Sequence, residues 1–196
     1  SNHDHSRFLT RTNKKVGRTA FAGPRAADMG VNTAVMRQAV VMQMTWVGAP
    51  TLYYGDEAGV CGWTDPDNRR SYPWGREDNE LIRFHKEMIR IHRDYQVFKT
   101  GSMLYLHGEN GLIVYGRFQG EEKAVIAVQT GGTQREIQVD VWRLGLKDGE
   151  KIASMMATDQ QGFSLEARVL TVKDGKVSIS VGENGAVLYK SIRNLI

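Results

Sequence analysis

Between Val31 and Val47 the apolar positions Val35, Ala39, Met42 and Trp46 recur every three or four residues. That spacing predicts a helix, with Asn32 or Thr33 as N-cap, and the Ala, Val and Met between them make it largely buried. Gly48 and Pro50 end it. Thr51-Leu52-Tyr53-Tyr54, closed by Gly55, reads as a short buried strand. Residues 56–76 are rich in Gly, Asp, Pro and Arg and read as a loop of a length that often carries function. A second helix is predicted from Asp78 to Tyr95, with Leu81, Ile82, His85, Met88, Ile89 and His92 on one face.

The period changes near Thr100-Gly101. Met103–Glu109, Leu112–Phe118, Lys123–Gln129, Arg135–Val141, Lys151–Met156, Val169–Val172, Val177–Val181 and Ala186–Tyr189 are short alternating or β-branched runs. Glu-Asn-Gly, Gln-Gly, Gly-Gly and Lys-Asp-Gly stand between them, the chemistry of antiparallel hairpins. About eight strands with no intervening helix predict a β-sandwich or small barrel. The first part supplies only helix, strand, loop and helix. A parallel strand buried on both faces needs neighbouring strands, so its layer is completed by another polypeptide, or the segment rearranges.

Composition adds limits. The 196 residues are 41% hydrophobic and 24% charged, with a net charge of +4, as in ordinary globular chains. The early basic residues Arg7, Arg11, Lys14, Lys15, Arg18 and Arg25 read as a solvated loop rather than a nucleic-acid arm. Cys61 is the single cysteine, which rules out an intrachain disulfide and any multi-Cys metal motif. No apolar run reaches the ~18–20 residues of a membrane span. The opening Ser-Asn-His-Asp-His has neither Met nor an apolar leader, so it reads as the middle of a domain; with the lone cysteine this sets a cytoplasmic expectation.

Three clusters bear chemistry. In Asn2-His3-Asp4-His5-Ser6-Arg7, an imidazole beside a carboxylate can bond vicinal sugar hydroxyls and stabilise developing positive charge; the plainer alternative is an exposed tail. His3 and His5 lack further ligands at metal-binding spacing, and no metal or cofactor is expected. The second cluster runs from Ala49 to Gly59. In the third, Thr64 to Trp74, Asp65 and Arg69 can clamp a polyol while Tyr72 or Trp74 stacks on a pyranose. Equally, Asp65, Asp67, Arg69 and Arg70 can form an ion-pair web that only stiffens the loop.

An Asn-His-Asp-x-x-Arg start, a helix, Gly-x-Pro-x-x-Tyr-Tyr-Gly-Asp-Glu-x-Gly and Asp-Pro-Asp-x-Arg-Arg ending in Pro-Trp, in that order, resemble the α-amylase family of glycoside hydrolases, and most closely its neopullulanase, cyclomaltodextrinase and α-glucosidase branches. The motifs cover roughly residues 2–75. The resemblance implies an α+β chain: residues 1–99 as the end of a (β/α)8 catalytic barrel, with 51–54 as its eighth strand, and 100–196 as an antiparallel β-sandwich C-terminal domain. It implies that Asp4 is the transition-state-stabilising carboxylate and that His3, Arg7, Asp65 and Arg69 bind substrate, an α-glucan or maltooligosaccharide. It makes Asp56 and Glu57 mainly structural. The family's nucleophile and general acid belong to upstream strands, so this chain alone is expected to be inactive, its partner being the missing N-terminal barrel half. The stretch 13–30 is longer than the family pattern, either a lid or an insertion. The competing expectation is a non-catalytic carbohydrate-binding or interaction β-domain.

Overall fold

The computed structural model of this chain describes residues 1–192. Five helices come first: α1 (Phe8–Arg11), α2 (Thr19–Ala22), α3 (Thr33–Thr45), α4 (Asn79–Asp94) and α5 (Gln96–Lys99). Nine strands follow: β1 (Ser102–Glu109), β2 (Leu112–Gln119), β3 (Glu122–Gln129), β4 (Arg135–Asp140), β5 (Lys151–Thr158), β6 (Phe163–Ser164), β7 (Val169–Thr171), β8 (Lys176–Val181) and β9 (Ala186–Ile192).

All strand pairs are antiparallel. The large sheet runs β1-β2-β3-β9-β5-β6, with β7 also on β5, and β4 and β8 form a separate pair. The period-2 alternation of a strand assigns its residues to two cores. In β3, Ala124, Ile126 and Val128 face the helices with Phe84, Met88, Ile91 and Phe98, whereas Val125 and Ala127 face Ile137, Val139, Ile179 and Val181 of the small sheet. The result is three layers, helices on sheet on strand pair. The helical part and the strands therefore share one core.

Asn32 caps α3, its side chain accepting from the amides of Ala34 and Val35, and Asp78 caps α4 through the amide of Leu81. At the other end of α3, buried Arg117 donates to Thr45 O at 2.5 Å, Trp46 O at 2.9 Å and Gly101 O at 2.7 Å, filling carbonyls the helix leaves open. Thr45 Oγ1 also meets Tyr115 Oη at 2.6 Å. Arg37, buried in mid-helix, reaches Thr158 Oγ1 and Asp159 O, both at 2.7 Å. These polar ties fix α3 on the sheet at its middle and its C-terminal end.

The structure adds the short helices α1, α2 and α5, which the pattern does not predict, and departs from it in three further places. Thr51–Tyr54 belongs to no strand, and Thr51, Leu52 and Tyr54 are exposed; no strand among the described residues lies beside it to take its hydrogen bonds. On α4 the buried stripe is Leu81, Phe84, His85, Met88 and Ile91, while Ile89 is exposed, because the contact face turns slightly from the one the spacing picks. β6 is only Phe163–Ser164, too short to show an alternation.

Candidate functional site

The segment before α1 folds back on itself. Asn2 Oδ1 accepts from the amides of Asp4 and His5, both at 3.0 Å, a local turn of the kind asparagine favours. His3 and Asp4 project from it into solvent, Nε2 to Oδ1 at 3.3 Å, each side chain 64% exposed.

Arg7 does something else. It was expected to touch sugar, and instead it is fully buried. Its Nε donates to Asn68 O at 2.8 Å, and one terminal nitrogen donates to Tyr54 O at 2.6 Å and to Asp56 Oδ1 at 3.0 Å. The guanidinium also lies 4.1 Å from the Tyr53 ring centroid and 4.7 Å from that of Tyr54. A planar fork with several donors is suited to such a hub. It locks the first turn to the 51–70 loop, with its second terminal nitrogen buried and unpartnered among the described residues. Asp56, 5% exposed, is its counter-ion, and the Ser1 nitrogen donates to the other carboxylate oxygen at 2.9 Å.

In the 56–76 loop the two readings of the charged cluster divide. Asp67 and Arg70 are scaffolding: Asp67 accepts from the Trp63 amide at 2.8 Å and from Arg70, which also holds Asp28 Oδ1 at 2.8 Å and Pro24 O at 2.6 Å. Asp65 and Arg69 pair at 2.6 Å with about half of each side chain exposed. An exposed pair of this kind contributes roughly 0–1 kcal/mol to stability and stays open to a polar ligand. Beyond them Tyr72 and Trp74 contact each other, ring centroids 4.5 Å apart, with Trp74 80% exposed. That leaves an aromatic face able to stack on a sugar ring.

The residue that sequence reasoning passed over is Asn68. It lies between Asp67 and Arg69, is fully buried, and its Nδ2 donates to His5 O at 2.8 Å and Asn2 O at 3.4 Å. The turn bearing His3 and Asp4 is thereby tied to the loop bearing Asp65 and Arg69. Only its place between charged neighbours distinguishes it in the sequence.

The stretch 13–30 covers Trp63. Trp63 Nε1 donates to Gly23 O at 3.1 Å, and a Cβ on Gly17 would come within 2.8 Å of the indole. Burial pushes the Cys61 thiol up to about 11, so it is no nucleophile at neutral pH. Among the described residues no group of three or more His, Cys, Asp or Glu is placed to hold a metal ion, and no helix is long and apolar enough to cross a membrane.

A wide cleft of about 930 Å³ lies elsewhere. Val35, Ala39, Met42, Trp46 and Leu52 line it, with His85 and Asp56 at one end; His3, Asp4, Asp65 and Arg69 do not. Leu112, Ile113 and Val128 of the sheet complete the lining, and a mostly apolar wall of this kind suits polypeptide better than sugar.

Comparison with known proteins gives the chain its class. No family model matches the chain. It is 33% identical over 198 residues to an amylopullulanase of Thermoanaerobacter thermohydrosulfuricus, covering 95% of this chain and 12% of the relative. A cyclomaltodextrinase of Thermoanaerobacter pseudethanolicus is 33% identical over 69% of this chain and 21% of its own length. Neopullulanase 2 of Thermoactinomyces vulgaris is 30% identical over 74% of this chain and 23% of its own. In structure, an α-amylase of Geobacillus thermoleovorans, solved with acarbose, superposes with a TM-score of 0.77 at 22% identity, over 99% of this chain and 38% of that one. The chain belongs to the α-amylase family of glycoside hydrolases and matches the C-terminal portion of its members. It spans 12–23% of the length of these curated relatives.

Proposed function

We propose that the chain is the C-terminal part of an α-glucan-acting glycoside hydrolase that cleaves α-glucosidic bonds with retention. Residues 1–99 close the end of its (β/α)8 barrel and 100–196 form its all-β C-terminal domain. The observation that carries this reading is the pair of adjoining turns, one presenting His3 and Asp4 and the other Asp65 and Arg69, cross-tied through Asn68. In the substrate complex Asp4 stabilises positive charge on the sugar ring and His3 bonds its hydroxyls. Asp65 and Arg69 hold a more distant sugar. Retaining hydrolysis requires two further carboxyl groups ~5–5.5 Å apart, one as nucleophile and one as acid/base, and these belong to barrel strands outside the 196 residues. The apolar cleft along α3 receives that remaining barrel structure, which also supplies neighbours for 51–54.

Kinetics on maltooligosaccharides test the reading. In the intact enzyme Asp4→Ala is expected to lower kcat by at least ~100-fold, the scale of one lost transition-state charge contact. Arg69→Ala is expected to raise KM with kcat little changed, and the 196 residues alone to show no turnover. Turnover by the 196 residues, or full activity of Asp4→Ala, overturns the proposal.

A second reading, a non-catalytic carbohydrate-binding β-domain, has one observation in its favour. Trp142 is 60% exposed and packs against Gly175, where a Cβ would approach it to 3.0 Å. Calorimetric titration with maltotriose decides it: binding lost in Trp142→Ala but kept in Asp4→Ala supports this domain as the binding part.

A further inference from the structure

We infer that Asn68 is a positioning residue for Asp4: its buried amide fixes the turn that displays the carboxylate and sets that turn against the loop of Asp65 and Arg69. This rests on the glucan-hydrolase reading above. The Asp4 side chain has no protein partner among the described residues except its exposed neighbour His3. Its direction is therefore set by the backbone of the Asn2–His5 turn. Asn68 Nδ2 binds the carbonyls at both ends of that turn, His5 O at 2.8 Å and Asn2 O at 3.4 Å. The main-chain oxygen of Asn68 meanwhile accepts from Arg7 Nε at 2.8 Å, so one residue holds both the turn and the segment after it.

The loop under Asn68 cannot give way. A Cβ on Gly62 would lie 2.5 Å from Asp67 O and 2.9 Å from the Asn68 Cα, and Gly62 O accepts from the Arg7 amide at 2.9 Å. Backbone meets backbone here, a contact that transmits position without slack. Asn68 Oδ1 is buried without a donor, an unfavourable arrangement. The side chain is thus placed for its two donated bonds rather than for the best local satisfaction. An apolar residue of similar size would fill the space and leave both turn carbonyls unheld.

The test is a double-mutant cycle in the intact enzyme with maltotriose as substrate, with thermal unfolding recorded for each variant. Asn68→Ala is expected to lower kcat ~10–100-fold, the scale of a misplaced reacting group, with KM changed less than ~3-fold. In an Asp4→Asn background the same substitution is expected to cost less than ~3-fold, because there is no longer a charge to position. Equal losses in both backgrounds, or unchanged kcat in a folded variant, overturn the inference. Should Asn68→Ala fail to fold, Asn68→Ser carries the same cycle. In the 196-residue chain, amide exchange at Asp4 and His5 is expected to quicken ~10-fold while that at Arg7 holds; unchanged exchange overturns the inference independently of activity. If Asp4→Asn itself keeps full kcat, the glucan-hydrolase reading fails and exchange alone judges the turn.

Discussion

Arg7 and Asp56 face each other at 3.0 Å with side chains 0% and 6% exposed. Removing one member of a buried pair leaves the other charge without compensation and costs ~3–5 kcal/mol. Arg7→Met, which keeps the bulk, is expected to lower the stability of the chain by less than that, because Asp56 keeps the Ser1 nitrogen at 2.9 Å. Arg7→Lys is expected to lose less, because it keeps the charge and gives up the fork that reaches Asn68, Tyr54 and Asp56 together. Urea midpoints at unchanged m-value measure both; a Met variant within 0.5 kcal/mol of the parent, roughly the scatter of neutral surface changes, would remove the clamp from the account.

Gly17 is where the 13–30 stretch meets Trp63. A Cβ there stands 2.8 Å from two indole carbons, and the indole is 2% exposed with its nitrogen bonded to Gly23 O. Gly17→Ala must displace the loop or the ring, and overpacking of this kind costs ~1–3 kcal/mol. Thermal unfolding and the tryptophan emission maximum report it: a lower midpoint with a red shift means that the loop has lifted from Trp63. An unchanged pair of readings would mean that 13–30 is not held by this contact.

What could be read from sequence follows how local each signal is. The cap Asn32 and the hairpin turns at Asn110-Gly111 and Asp174-Gly175 are short-range, and the limits of α3, α4 and the eight expected strands came out within a few residues of the pattern, whereas the short α1, α2, α5 and β6 were not in it. The fate of Thr51–Tyr54 is not local, because β-branched and aromatic residues make a strand only beside another strand. Arg7 shows the same limit. As an arginine three residues beyond His3-Asp4 it resembles a ligand contact, and only the approach of residues 54, 56 and 68 from far along the chain reveals it as a clamp. Asn68 carried no signal by type, since its importance lies in which carbonyls it meets. The Asp65–Arg69 pair, placed in the sequence as one of two alternatives, is separated from the Asp67–Arg70 web only by exposure.

His85 gives the chain a pH response. Its Nδ1 is 2.8 Å from Leu81 O, its Nε2 is buried without a partner, and burial lowers its pKa below the ordinary 6.5, partly opposed by the Leu81 hydrogen bond and then by the charges of Glu57, Asp56 and Asp78. The unfolded chain therefore takes up a proton at a pH where the folded chain does not. Stability is complete above the ordinary value and falls as the pH drops through it toward the lower folded value, with a slope approaching ~1.4 kcal/mol per pH unit. His85→Gln is expected to flatten the stability curve below about pH 6.5 relative to the parent. Parallel curves for the two proteins would show that His85 titrates alike folded and unfolded.

Helix α3 carries two apolar faces and has a covering for one. Met36, Val40, Val41 and Met44 are buried against the sheet and α4. Val35, Ala39 and Met42, the stripe most visible in the sequence, line the open cleft and continue into Trp46, Val47 and Leu52, which are 37%, 49% and 37% exposed. A helix apolar all round is an interior helix, and each large side chain left in water forgoes roughly 1.5–3 kcal/mol of burial. The isolated chain is therefore expected to bind a hydrophobic dye and to associate as its concentration rises. Val47→Lys with Leu52→Lys should reduce both effects while the unfolding midpoint moves little, since neither side chain is buried here. In the intact enzyme the same pair of lysines should lower stability by several kcal/mol, because charges would then be enclosed. Dye binding, sedimentation and unfolding of the two forms separate the cases. Lysines harmless in both forms would show that nothing covers this face, and the proposal that the remaining barrel docks there would fall with it.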